Sequence, residues 1–209
     1  EVAWNPEFLR EGFAVKDTLH PDRIVLGIDV QRRGRAEAVA REVYEAIIAE
    51  GSPFLVTDRE TAELVKTAAN AFLATKISFI NAMAELCEAA GADVLELADA
   101  MGHDKRIGRR FLNAGIGFGG GCLPKDIRAF MARAGELGAN DTLTLLREVD
   151  SINMRRRTRM VEIAKGVAGG SLIGTRVAAL GAAFKPDSDD IRDSPALNIA
   201  GQIQLQGAS

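Results

Sequence analysis

Cysteine is scarce in this sequence, with two in 209 residues. That is too few for a disulfide framework and suits a reducing compartment, so a cytoplasmic location is expected. With no Cys-x-x-Cys pair, a thiol redox protein is a weak reading. Histidine is equally scarce. His20 sits in a turn and His103 in the polar loop Gly102–Gly108, with no further ligand at useful spacing, so no metal is expected. Strong net charge is missing too: −3 leaves no footprint for nucleic acid or an anionic membrane. No apolar run is long enough to span a bilayer, and the opening residues show no signal-peptide pattern.

What is present is an ordinary globular composition, 47% apolar and 26% charged, in a length that suits one large domain or parts of two. The sequence opens at Glu1-Val2-Ala3-Trp4 and closes at Gly207-Ala208-Ser209, just after a helix-like segment. The expectation is a piece of a longer protein.

One stretch organises the rest: Gly115-Ile116-Gly117-Phe118-Gly119-Gly120-Gly121-Cys122-Leu123-Pro124-Lys125-Asp126. Its glycines reach backbone conformations closed to other residues and let a ligand come near. A cysteine presented there is reachable, Lys125 puts a cation beside it, and Asp126 can act as a base or an orienting group. Glycines alone would mean a flexible turn; Cys, Lys and Asp within five residues point to a reactive site.

Ahead of it, Asn5–Gly12 reads as a compact loop. Glu7 and Glu11 would share a face on a helical turn; such a pair can do acid/base or hydroxyl-binding work, and more often it is simply solvated. Arg23–Ile28 reads as a buried strand, Ala36–Glu50 as a helix stopped by Gly51, and Phe54–Val56 as a second strand. Strand, helix, strand is the rhythm of a doubly wound fold. No Gly-rich dinucleotide fingerprint precedes it, so residues 1–57 read as the end of a Rossmann-type domain.

From Ala62 to Ala90 no Pro or Gly interrupts the chain, and apolar residues recur at helical spacing after a cap at Thr57 or Asp58. Such a helix is about 45 Å long and can join domains or form a dimer core. Lys66 and Asn70 lie four apart on it, able to address one ligand or simply to sit on its surface. Cys87 reads as a packing cysteine. Helices follow at Asp93–Met101, Ile127–Leu137 and Asp141–Val167, the last holding the basic run Arg155–Arg159, expected to be a solvated face. Residues 58–168 thus form a helical centre. In 169–209, Arg176–Gly181 reads as an apolar strand and Phe184–Pro195 as a charged loop. Ala196–Gln204 reads as a helix capped by Ser194 with Pro195 first, which opens a second α/β domain. Lys185 and Arg192 before that helix suit an anion, unless the loop is merely solvated.

Four stretches in this order, Gly117–Asp126, Asn5–Gly12, Lys66–Phe72, and Phe184–Asp187 with Arg192, resemble the UDP-glucose/GDP-mannose dehydrogenase family, nearest its UDP-glucose 6-dehydrogenase branch. The resemblance spans essentially the whole chain. It implies α/β flanks around an all-α centre: the end of a Rossmann-type domain, a long central helix in a helical dimerisation domain, and the start of a second Rossmann-like domain. It also implies oxidation of the C6 hydroxyl of UDP-glucose to a carboxylate with two NAD, and a homodimer through the central helices.

By the same resemblance Cys122 is the nucleophile, forming a thiohemiacetal and then a thioester. Lys66 and Asn70 stabilise charge on the C6 oxygen. Asp126 positions or activates water, and Glu7 is an acid/base in thioester hydrolysis. Phe8, Leu9, Arg10, Asn113, Gly115, Phe118, Gly119 and Lys185 contact the sugar nucleotide, as does Arg106, reaching in from the neighbouring subunit. Glu11, Lys125 and Arg192 lie at the cofactor. The sequence departs from many relatives at Gly121, where Ser is common, and at Leu123, where Phe is. The expectation is further that the pyrophosphate-binding turn and most of the uridine-binding surface lie outside these residues, so that this stretch alone does not turn over. Two rivals stay open: oxidation of GDP-mannose or a UDP-N-acetylhexosamine, and a non-catalytic helical dimerisation module.

Overall fold

The chain is described by a computed structural model covering residues 2–29 and 33–209. It forms two compact units, Glu1–Ala69 and Asn70–Ser209.

In the first unit, β1 (Ile24–Gly27) is buried along its whole length and pairs in parallel with β2 (Phe54–Thr57), Ile24 opposite Phe54 and Gly27 opposite Thr57. Two parallel strands need a crossover, supplied by α2 (Arg33–Val43) and α3 (Glu45–Ala49). The single helix expected over Ala36–Glu50 is therefore two. The break falls at Tyr44, whose hydroxyl donates to Asn5 Oδ1 at 2.6 Å while Asn5 Nδ2 donates to the Val25 carbonyl at 2.7 Å. Anchoring that tyrosine to the first loop turns the chain where the apolar pattern ran on. Trp4 adds a short antiparallel bridge to Gly27. A helix not expected from the sequence, α1 (Ala14–Leu19), follows the loop; none of its residues is buried, so it leaves no apolar period to read.

Asp58, one of the two expected caps, starts α4 (Arg59–Ala90) by accepting the Thr61 amide at 2.6 Å and its hydroxyl at 2.9 Å. The long helix is present as expected. Close approach of its first turn to β1 requires Gly27, where a Cβ would stand 2.6 Å from Ala62 Cβ.

The second unit is helical. After the remainder of α4 come α5 (Val94–Gly102), capped by Asp93, then α6 (Leu123–Glu136), α7 (Thr144–Val167) and α8 (Pro195–Leu205). Ala71, Ala74, Phe118, Ile127, Leu146 and Val149 form one core cluster, and Val161, Leu172, Ile203 and Ala208 another. A fully buried Ile127 contributes about 1.5–3 kcal/mol through its removal from water. Ser194 caps α8 through the Leu197 amide at 3.3 Å, with Pro195 first, as expected. Arg176–Gly181, expected as a strand, is irregular, with Leu180 96% exposed. Its neighbouring backbone is tied to residues 207–209 by three hydrogen bonds, Gly174 N–H to the Gly207 carbonyl, Ser209 N–H to the Thr175 carbonyl and Val177 N–H to the Ser209 carbonyl, each at 2.9 Å. Among the described residues no helix is long and apolar enough to cross a membrane.

Candidate active site around Cys122

The helix after the glycines starts a turn earlier than expected, at Leu123 instead of Ile127, because Pro124 suits a first turn. That makes Cys122 the residue at the N-terminal boundary of α6 and puts Asp126 in its first turn. Cys122 is exposed, whereas Cys87 is buried, as a packing cysteine should be. Asp126 accepts from Asn70 Nδ2 at 2.6 Å and stands 3.5 Å from Lys125 Nζ. The structure thus brings Cys122, Asp126, Lys125 and Asn70 together in the second unit.

The loop leading to the thiol is held by buried polar groups. Gly115 N–H donates to Asn81 Oδ1 at 2.8 Å, and its carbonyl accepts from Arg156 Nε at 2.8 Å. Phe118 N–H donates to Asn153 Oδ1 at 2.7 Å, and the Phe118 carbonyl accepts from Asn153 Nδ2 and from Arg157 Nη2, each at 3.0 Å. Asn81, Asn153, Arg156 and Arg157 are all buried. The basic run is a solvated face only in part: Arg155 and Arg159 are exposed, while Arg156 and Arg157 turn inward, because the loop's carbonyls need donors in a core that water does not reach. Sequence reasoning missed Asn153 and Arg157 as site residues. The signal was there, since Val149, Asn153, Arg157 and Val161 repeat every four residues and share one face of α7.

The same loop packs against the stretch that carries Lys185 and Arg192. Gly120 N–H donates to the Arg192 carbonyl at 2.8 Å. A Cβ on Gly120, itself at φ 84°, would stand 2.7 Å from the Phe184 ring, and one on Gly121 would stand 2.7 Å from the Arg192 guanidinium. Arg192 Nη2 also pairs with Asp190 at 2.8 Å. Lys185 Nζ lies 5.6 Å from the centre of the Phe184 ring.

The remaining expected residues are distributed as follows. Asn113 is exposed and accepts from Arg109 Nη1 at 2.8 Å. Arg106 is exposed and pairs with Asp104 of its own loop at 2.5 Å; its guanidinium holds the Asp104 carboxyl below the usual carboxylate range. In the first unit, Glu7 and Glu11 lie in irregular and turn backbone instead of on a helical turn, so the shared face does not form. Glu7 pairs with Lys66 Nζ and accepts the Leu9 amide at 2.7 Å. The Lys66 side chain is 28% exposed. Arg23 stacks on Phe8 at 3.9 Å. Arg10 binds Asp17 through its backbone and guanidinium, and the guanidinium hydrogen bond pulls the Asp17 carboxyl down. Among the described residues no group of three His, Cys, Asp or Glu side chains is arranged to hold a metal.

Comparison with known proteins gives a consistent picture. Residues 1–48 match the NAD binding domain of the UDP-glucose/GDP-mannose dehydrogenase family, and residues 60–155 match that family's central domain. A UDP-glucose 6-dehydrogenase of Rhizobium meliloti (strain 1021) is 46% identical over 208 residues, covering 99% of this chain and 47% of the relative. Another, of Rickettsia prowazekii (strain Madrid E), is 48% identical over 200 residues, covering 95% and 44%. The solved structure of a UDP-glucose dehydrogenase from the hyperthermophilic archaeon Pyrobaculum islandicum matches with a TM-score of 0.92 at 41% identity, over 99% of this chain and 46% of that one. The chain spans about half the length of the curated relatives it matches.

Proposed function

The chain belongs to the UDP-glucose/GDP-mannose dehydrogenase family, and from that premise we propose that the protein carrying it oxidises the C6 hydroxyl of UDP-glucose to the carboxylate of UDP-glucuronate. The observation that carries this reading is Cys122, an exposed thiol at the start of α6, with Asp126 one turn on and a buried, clamped glycine loop before it. NAD suits the first unit, whose residues 1–48 match the family's NAD binding domain and whose parallel β1–β2 pair with a helical crossover is one βαβ step of a Rossmann-type fold. Glu11, Lys125 and Arg192 are assigned to the cofactor by the family resemblance, Lys125 and Arg192 being exposed. When bound, NAD accepts one hydride in each of two oxidations.

The first oxidation removes a hydride and a proton from the C6 alcohol and leaves an aldehyde. Cys122 Sγ adds to the carbonyl carbon; the C–S bond forms, and the oxygen takes a proton to give the thiohemiacetal. Loss of the second hydride and the hydroxyl proton gives the thioester. Water adds at C6, the C–S bond breaks, and the thiol returns as the carboxylate leaves. Asp126 orients the water, held for it by Asn70. Glu7, paired with Lys66, moves the proton of hydrolysis. Lys66 and Asn70 are the N–H donors for charge on the C6 oxygen. Phe8, Leu9, Arg10, Asn113, the Gly115–Gly119 backbone and Lys185 bind the sugar nucleotide, and Arg106 reaches that of a second subunit.

A homodimer through α4 accords with Phe72, Phe79 and Leu86, which recur every seven residues and are 66%, 44% and 59% exposed. The same stripe is the observation in favour of a purely structural dimerisation role. Turnover separates the readings. The protein is given UDP-glucose, GDP-mannose or UDP-N-acetylglucosamine with NAD, and NADH is followed by absorbance. UDP-glucose is expected to be the preferred substrate. Preference for another sugar nucleotide moves the protein to a neighbouring branch, and no NADH with any of them leaves the structural role.

A further inference from the structure

Arg157 joins two stretches that the reaction above uses separately. Its side chain is 1% exposed. Nη2 donates to the Phe118 carbonyl at 3.0 Å, and Nη1 donates to Asp193 Oδ1 at 2.8 Å. Asp193 lies between Arg192 and the capping residue of α8, with φ at 45°, in the left-handed region. Its backbone is wedged against the glycine loop: a Cβ on Gly119 would collide with the Asp193 carbonyl and stand 2.8 Å from Pro195 Cδ. With the Gly120–Arg192 hydrogen bond at 2.8 Å, Phe118–Gly121 and Arg192–Ser194 become one bonded block, and Cys122 is the next residue of the chain.

Stability alone is a poor reason for this arrangement. A guanidinium taken wholly out of water costs more than one partly exposed carboxylate returns unless every N–H is met. Here the Asp193 side chain is 31% exposed, and Arg157 Nε has no hydrogen-bond partner among the described residues. What Arg157 does achieve is to fix the distance between the thiol loop and the Lys185–Arg192 stretch.

We propose that Arg157 and Asp193 are a positioning pair that couples the Lys185–Arg192 stretch to the Cys122 thiol, so that the sulfur-dependent second oxidation depends on it far more steeply than sugar binding or the first oxidation. This rests on the dehydrogenase reading above and names two residues that act through Gly119–Gly121 without touching substrate.

The test uses Asp193→Gly, which removes the carboxylate yet keeps the left-handed backbone, Asp193→Asn, which keeps an acceptor, and Arg157→Lys, which keeps the charge but loses the fork. With enzyme in excess over UDP-glucose, NADH is recorded through a single turnover. In Asp193→Gly the first phase and the KM for UDP-glucose stay within about twofold, while the second phase slows about ten- to hundredfold, the size of a small misplacement of a reacting group. Asp193→Asn recovers most of that loss. Equal slowing of both phases, or of neither, overturns the proposal. Should Asp193→Gly fail to fold, Arg157→Lys carries the same expectation. Amide hydrogen exchange of the Phe118–Cys122 peptide needs no turnover: it rises in Asp193→Gly if the block is coupled, and no rise also overturns the proposal. If the wild-type protein makes no NADH from any sugar nucleotide, the dehydrogenase reading and the proposed effect on the second oxidation fall together; the exchange result then reports only whether the two stretches are mechanically joined.

Discussion

Asn153 and Phe118 hold one another from both sides, the Phe118 amide donating to Oδ1 at 2.7 Å and Asn153 Nδ2 returning a hydrogen bond to the Phe118 carbonyl at 3.0 Å. Both residues are buried. One carboxamide on a rigid helix thereby does for an irregular loop what a neighbouring strand does for a sheet.

Asn153→Ala leaves the Phe118 amide buried without an acceptor, while its carbonyl keeps Arg157. The expected loss is about 1–3 kcal/mol, the cost of one unmet buried donor, read as a lowered midpoint of urea denaturation.

The loop's glycines should differ sharply in tolerance. Gly115 has open space where a Cβ would go, so Gly115→Ala should stay within about 0.5 kcal/mol of wild type. At Gly119 a Cβ would meet the Asp193 backbone, and the loop must move; a loss of about 1–3 kcal/mol is expected. Thermal melts of the two variants compare them directly, and equal melting temperatures would contradict the packing described.

Acid should weaken the start of α4 through Asp58. Hydrogen bonds from the Thr61 amide first, and then from its hydroxyl, hold the Asp58 carboxyl below its ordinary range. The folded-state pKa lies below the unfolded one, so the cap's contribution is complete above the ordinary carboxylate pKa and disappears as pH falls through the depressed value. The melting-temperature deficit of Asp58→Ala should be largest near neutrality and shrink below about pH 4. A deficit that grows on acidification would contradict a carboxyl held below its ordinary range by the Thr61 hydrogen bonds.

The two cysteines should react at very different rates. Cys122 is exposed and Cys87 is 4% exposed inside α4. Iodoacetamide should label Cys122 roughly tenfold faster or more, since Cys87 must wait for opening of the fold. Peptide mass spectrometry reads both sites at once, and similar rates would remove the special standing of Cys122.

Much of the fold was legible because it rests on local signals. Uninterrupted helical spacing marked α4, a buried apolar run marked β1, and Ser194 with Pro195 marked α8. The break at Tyr44 was not legible, because its cause is Asn5, 39 residues away. Arg176–Gly181 has strand composition, yet a strand is made by its partner, and composition names none. The sequence's chemistry-bearing residues were easy to pick near Cys122, since they cluster within a few positions. The residues that hold them are not adjacent: Asn153 and Arg157 lie more than thirty positions on, in a helix whose charges looked like surface. A buried arginine and a solvated one have the same letter; only the four-residue spacing with Val149 and Val161 separates them.

The measurement that bears most directly on the central claim is the number of NADH formed per UDP-glucose, with sugar limiting and NAD in excess, in the protein carrying this chain and in its Cys122→Ser variant. Two NADH per sugar are expected in the wild type, with loss of that stoichiometry in the variant, because the second hydride leaves from a sulfur adduct. One NADH per sugar in the wild type, or two per sugar at undiminished rate in Cys122→Ser, would contradict that claim.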